Sequence, residues 1–248
     1  MRISALLMTG AVAAVAAVAV AGSAMATVWT PDRYEPQVFT TNGNDITLGL
    51  RSAGFQANRV APFDGGFYNY QGMATSTGFD SAFVGSSVSI EMYVSNDWND
   101  GVRAGFWTTM SNGNNSFPII EYTRGTSTAG TVGSGNFTGF RWWQSGIGWT
   151  EINQSFTTNA WYRLTIGLSA SQVSFGIADV ATNATLFSTT ASGLGADKIN
   201  NVILNAHNQG IAGEYDVLYR NFAVNAIPAP GALALLGAAG LFGARRRR

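Results

Sequence analysis

The chain predicts an all-β fold, an antiparallel β-sandwich of the jelly-roll kind, and three observations carry that expectation. Apolar residues recur with a period of two in short runs, turn residues separate the runs, and the residues that build exposed helix faces are scarce. Ser87 to Val94 sets the pattern, with Val88, Ile90, Met92 and Val94 on one face and Ser87, Ser89, Glu91 and Tyr93 on the other. Charged residues make up 11% of the 248, and lysine occurs once, at Lys198, too little for long amphipathic helices.

Taken in order, Met1 to Ala26 joins Arg2 to a run of Ala, Val, Leu and Met and ends on Ala24-Met25-Ala26. A charged start, an apolar stretch and a small-x-small site make a secretory signal peptide cleaved before Thr27, the alternative being an uncleaved anchor. No twin-arginine pair is present, so the Sec translocon is the expected export route. Strand patterns follow at Val38 to Thr41, Ile46 to Arg51, Ser87 to Val94, Val102 to Met110, Phe117 to Thr123, Phe137 to Gln144, Trp161 to Leu168, Gln172 to Ala178, Thr185 to Ser188, Asn201 to Ala206 and Tyr215 to Val224. Turn signals stand between them at Asn42-Gly43, Asn112 to Asn115, Asp179 to Asn183 and Ser192-Gly193. Gly125 to Gly139 reads as a long loop or an irregular hairpin, and no internal repeat is visible. The roughly 200 residues from Thr27 to Ala226 suit one domain.

Charge and cysteine usage narrow the partners. The 14 basic and 14 acidic residues balance only over the whole chain; five basic residues lie in the two terminal segments, which leaves the domain at net −5. A nucleic-acid or anionic-membrane partner would need a basic face, so neither is expected. Cysteine is absent, which excludes disulfides, thiolate metal sites and a cysteine nucleophile.

Residues 227–248 have three parts in fixed order: Pro228-Ala229-Pro230-Gly231 breaks the chain, the fourteen residues Gly231 to Ala244 are apolar, and Arg245, Arg246, Arg247 and Arg248 follow. The two prolines end the folded part. The apolar segment is a marginal, short transmembrane helix, and its arginines are expected on the cytoplasmic side, with the upstream domain exported. This composite resembles the PEP-CTERM sorting signal of Gram-negative bacteria, although Ala229 stands where the family name has glutamate. The resemblance implies recognition by an exosortase-type membrane protease and a bacterium that makes exopolysaccharide. A plain C-terminal membrane helix with a stop-transfer cluster is the alternative reading.

The order of strands resembles concanavalin-A-like, laminin-G-like sandwiches. Ser87 to Val94 running into Asp97-Trp98 looks like an early sheet strand, Trp161 to Ile166 like a central strand, Val173 to Phe187 like the next hairpin, and Tyr215 to Val224 like a closing strand that returns beside the N-terminal one.

Candidate chemistry is sparse. A glycosidase on such a sandwich needs two carboxylates at even spacing on one strand face, yet Glu91 has Ser89 and Tyr93 as its neighbours two away. Glu214 and Asp216 have the spacing but sit at a strand start. His207, the one histidine, is expected to end a strand; it has no G-x-S-x-G elbow for a triad and no second histidine for zinc. Asn96, Asp97, Asn99 and Asp100 offer oxygen ligands suited to calcium, or simply make the turn after Val94. Phe140, Trp142, Trp143 and Trp149 cluster with Arg141, Gln144 and Glu151, and Phe106-Trp107 precede them. Adjacent Trp142 and Trp143 face opposite sides of a strand, so one of them looks outward, where an indole suits stacking on a sugar, or else a loop covers the segment.

The expectation is therefore a non-catalytic exported protein of the cell surface or extracellular matrix, used for adhesion or matrix building, with no cofactor other than a calcium ion. A lectin-like module that binds exopolysaccharide through Trp142, Trp143 and Trp149 is the alternative, and a polysaccharide hydrolase or lyase is the third reading.

Overall fold

A computed structural model describes residues 27–33, 35–51, 70–75, 84–111, 116–125, 137–192, 196, 198–207 and 214–225. The signal-peptide and sorting-signal segments, the Asn112 to Asn115 turn and most of the Gly125 to Gly139 stretch lie outside the described residues. No helix among the described residues is long and apolar enough to cross a membrane.

Fourteen strands are described: β1 (Trp29–Arg33), β2 (Val38–Asn42), β3 (Asp45–Leu50), β4 (Gln71–Thr75), β5 (Ser87–Val94), β6 (Arg103–Ser111), β7 (Ile119–Thr123), β8 (Gly139–Gln144), β9 (Gly148–Glu151), β10 (Ala160–Leu168), β11 (Gln172–Asp179), β12 (Thr185–Ser192), β13 (Lys198–His207) and β14 (Tyr215–Asn225). They form two antiparallel sheets of seven, a first sheet ordered β1-β4-β13-β6-β7-β8-β9 and a second ordered β12-β11-β10-β5-β14-β3-β2.

Eleven of the strands stand where the alternation places them. The other three hide in the sequence for local reasons. Pro31 interrupts β1, which is tolerated because β1 is an edge strand and needs no donor on its open side. β4 is buried along its whole length and so shows no alternation. β9 has four residues. β14 does close the second sheet, but between β3 and β5; β1, the first strand of the chain, belongs to the other sheet.

The core lies between the sheets. The second sheet contributes Leu48, Val88, Ile90, Met92, Leu164, Ile166, Phe175 and Val217, and the first contributes Phe106, Met110, Ile120, Phe140, Val202 and Leu204, all at most 1% exposed. Each is worth about 1.5–3 kcal/mol on burial. Phe140 is met edge-on by Tyr122, Phe156 and Tyr162, with ring centroids 4.8–5.3 Å apart. Two tyrosines tie the layers together: Tyr219 donates its hydroxyl to Gly105 O at 2.9 Å, and Tyr215 donates to Arg103 O at 2.9 Å. These bonds hold β6 at a fixed height over β14. The chemistry described next is on the far side of β6.

Candidate functional site

Cross-strand register lays out the outer face of the first sheet as lateral rows. One row runs through all seven strands as Thr30, Ala74, Ile203, Trp107, Ile119, Trp143 and Trp149. The next, two residues along each strand, runs as Asp32, Gly72, Asn205, Gly105, Glu121, Arg141 and Glu151. An aromatic and aliphatic band thus lies beside a band of amide and charge, because direct partners in an antiparallel sheet share a face.

The two glycines keep the polar row low. A Cβ at Gly105 would stand 2.7 Å from Asn205 Oδ1 and 3.0 Å from Ile120 O, and one at Gly72 would stand 2.8 Å from Leu204 O. With that space preserved, Trp107 Nε1 donates to Asn205 Oδ1 at 2.7 Å. The Tyr70 ring lies 4.6 Å from Trp107, and its hydroxyl donates to Asp32 Oδ2.

Glu121 is the electrostatic centre. Arg103 donates to it from Nε and Nη2 at 2.9 and 3.0 Å, and Arg141 from Nε and Nη2 at 2.9 and 2.6 Å. All three side chains are at most 4% exposed. Burial alone would raise the Glu121 carboxyl, but the charges and hydrogen bonds of the two arginines outweigh it and hold the group below its ordinary value. Trp149 covers the triad, its ring 4.1 Å from the Arg141 guanidinium carbon and 5.7 Å from that of Arg103.

Of the three tryptophans expected to form an aromatic site, the structure brings two to one face. Trp143 and Trp149 stand opposite each other on this face and are half-buried. Trp142 turns inward, 8% exposed, with its ring 4.9 Å from Phe175; strand alternation gives it to the core. Trp107, Asn205, Tyr70 and Asp32 join the site from strands remote in sequence. A glutamate in the otherwise apolar and hydroxyl run of β7 is the one local sign of the triad.

Other candidates fall elsewhere. Glu91 lies on the outer face of the second sheet, where burial tends to raise its carboxyl and hydrogen bonds from Arg220, Arg163 and Asn221 bring it below the ordinary value. Asp216 pairs with Arg51 at 2.8 Å and Glu214 approaches the same guanidinium at 3.9 Å, a surface cluster. His207 ends β13 as expected. In the Asn96 to Asp100 loop, Arg124 Nη1 donates to Asn96 O at 2.5 Å, and Asp97 N donates to Ser95 Oγ at 3.0 Å. Trp98 anchors the loop, donating from Nε1 to Asp216 O at 3.1 Å. Among the described residues no group of three or more His, Cys, Asp or Glu side chains could hold a metal ion.

No protein-family model and no curated protein matches the chain. Solved structures do. An immunostimulatory antigen and pseudo β-1,3-glucanase of Mycobacterium tuberculosis aligns over 80% of this chain and 91% of its own, at 12% identity and a TM-score of 0.50. A glycosyl hydrolase family protein from Mycobacterium fortuitum aligns over 79% and 90%, at 11% identity and a TM-score of 0.46. A homodimeric agglutinin from chicken liver aligns over 62% and 100%, at 12% identity and a TM-score of 0.37.

The first of these likenesses shows a shared fold. It also corrects the expectation that the domain is no enzyme: the fold is shared with a protein described as a pseudo β-1,3-glucanase, so a sandwich of this kind gives no ground for excluding catalysis. The expectation had weighed carboxylates along single strands. In the folded chain one row across strands places Glu121, buried, and Glu151, exposed, on either side of Arg141.

Proposed function

We propose that the chain is an exported surface or matrix protein of a Gram-negative bacterium whose sandwich engages extracellular polysaccharide through the outer face of the first sheet. The observation that carries the reading is the half-buried pair Trp143 and Trp149 on that face, with the exposed Glu151 two residues along the strand from Trp149. Ring faces suit the C–H faces of sugars, and the Glu151 carboxylate beside them suits their hydroxyls. The triad under Trp149 fixes that ring without requiring a ligand to reach the buried arginines. Export is supported by Ala24-Met25-Ala26 and by the Pro228 to Arg248 composite, which brings the Sec translocon and an exosortase-type protease as partners in transit.

Affinity electrophoresis of the full chain through gels containing bacterial exopolysaccharides tests the reading. Retardation by at least one polysaccharide is expected, and Trp143→Ala and Trp149→Ala should each weaken it by about 2 kcal/mol, roughly thirtyfold. Unchanged migration of both variants beside wild type would remove the site. A second reading, hydrolysis of the bound glycan, is favoured by the fold shared with a protein described as a pseudo β-1,3-glucanase, with Glu151 as the exposed carboxylate of the row that a glycan can reach. It predicts release of reducing ends that Glu151→Gln abolishes.

A further inference from the structure

The outer face of the second sheet carries another built cluster, on the opposite side of the molecule from the tryptophan rows. Trp161 and Tyr93 are direct partners on β10 and β5, half-buried, with ring centroids 5.4 Å apart. The Arg220 guanidinium lies 4.0 Å over the Trp161 ring. Glu91 organises the cations: Arg163 Nη2 donates to its Oε1 at 3.0 Å, while Arg220 Nε at 2.8 Å and Asn221 Nδ2 at 3.0 Å donate to its Oε2. Arg163 Nη1 donates to Asn183 Oδ1 at 2.8 Å, and the Tyr93 hydroxyl donates to Asn159 Oδ1 at 3.3 Å.

The backbone singles out the same place. Four described non-glycine residues have positive φ, and three of them are Asn159, Asn183 and Asn221, at 57°, 56° and 53°. Asparagine tolerates that region better than most residues, but it is still uncommon there. All three asparagine side chains enter this one cluster. A backbone held in sparsely used conformations to aim side chains at one point is what ligand clamps show.

Donors outnumber acceptors among the polar atoms left over: Arg220 Nη1 and Nη2, Trp161 Nε1 and Asn183 Nδ2 make no hydrogen bond among the described residues, against Asn221 Oδ1 as an acceptor. Glu91 already accepts from three donors. The side chains of Arg163 and Arg220 remain 40% and 33% exposed. Asp45 is the next residue beyond Arg220 in the row and makes no ion pair with it among the described residues. A guanidinium pinned through Nε and stacked on an indole presents its Nη edge as a fixed fork, the geometry that takes two oxygens of one anionic group.

We propose that this corner of the second sheet is a separate binding site for an anionic sugar unit of a polysaccharide, its carboxylate or sulfate-ester oxygens taken by the Arg220 fork and its ring stacked on Trp161 and Tyr93. The site does not depend on the first-sheet reading, and its variants are different ones.

The test is calorimetric titration of the full chain with an oligogalacturonate, its methyl ester, a sulfated gluco-oligosaccharide, the unmodified gluco-oligosaccharide and poly-L-glutamate. Saturable binding of the oligogalacturonate or the sulfated sugar is expected, and which of the two binds identifies the anion. Arg220→Lys, which keeps the charge and loses the fork, and Trp161→Ala should each weaken it by about tenfold or more, in wild type and in a Trp143→Ala background alike. Trp161→Ala leaves the Glu91 pairs intact, so it remains informative if Arg220→Lys lowers the melting temperature. Equal binding of the methyl ester or the unmodified sugar, equal affinity of poly-L-glutamate, no binding of either anionic sugar, or full affinity in Trp161→Ala would each overturn the proposal.

Discussion

Glu121 and Glu91 are each held by two arginines, and burial decides how differently they behave. Around Glu121 the arginines are as buried as the carboxylate, so Glu121→Gln leaves two desolvated cations without their partner, a loss of about 3–5 kcal/mol. Around Glu91 the arginines reach water, and Glu91→Gln should cost about 1 kcal/mol or less. Urea denaturation of the two variants checks the contrast, and similar midpoints would contradict it. The acid limb follows from the same group. Because the folded Glu121 carboxyl lies below its ordinary value of 4.5, it stabilises the fold above that pH, and the contribution is lost as pH falls through the folded value. Wild type should therefore lose stability in that window, and Glu121→Gln should show a flatter profile there.

At the scale of elements, β6 joins the two halves of the design, with Phe106 and Met110 toward the core and Arg103 and Trp107 on the outer face. Gly105 is the position where its partners come closest. Gly105→Ala places a methyl against Ile120 O and Asn205 Oδ1, which should cost about 1–3 kcal/mol and disturb the Trp107 to Asn205 bond. Gly43→Ala, in the β2–β3 turn, meets no atom within 4 Å, and its cost of about 1 kcal/mol comes from the φ of +61° alone. Thermal unfolding distinguishes them, and Gly105→Ala should unfold at the lower temperature. The strands themselves were legible because alternation is a local signal. β1 and β4 were not, since a proline and a wholly buried run erase that signal, while pairing of β1 with β4 and of β4 with β13 fixes both strands.

At the scale of the whole molecule, two seven-stranded sheets present two chemically different outer faces, one banded with tryptophan and a buried triad, the other bearing an arginine and tyrosine–tryptophan corner. On the two proposed readings together, the faces would hold two glycan chains, one on each side of the sandwich. Processing of the tail is tested by the intact mass of the surface form from a native host: the sorting reading expects Gly231 to Arg248 to be missing, and an intact tail there would leave the plain membrane helix. The sequence alone determined the sandwich class, the positions of most strands, the outward choice facing Trp142 and Trp143, and the export expectation, because each rests on periodicity or on a contiguous motif. Only the tertiary structure decided that Trp143 and Trp149 share a face with Trp107, Tyr70 and Asn205, that Glu121 sits between Arg103 and Arg141, and that three left-handed asparagines bond Glu91, Arg163 and Tyr93 in one cluster. Those are matters of register between strands tens of residues apart, and register is set by how whole sheets pack, which no local pattern encodes.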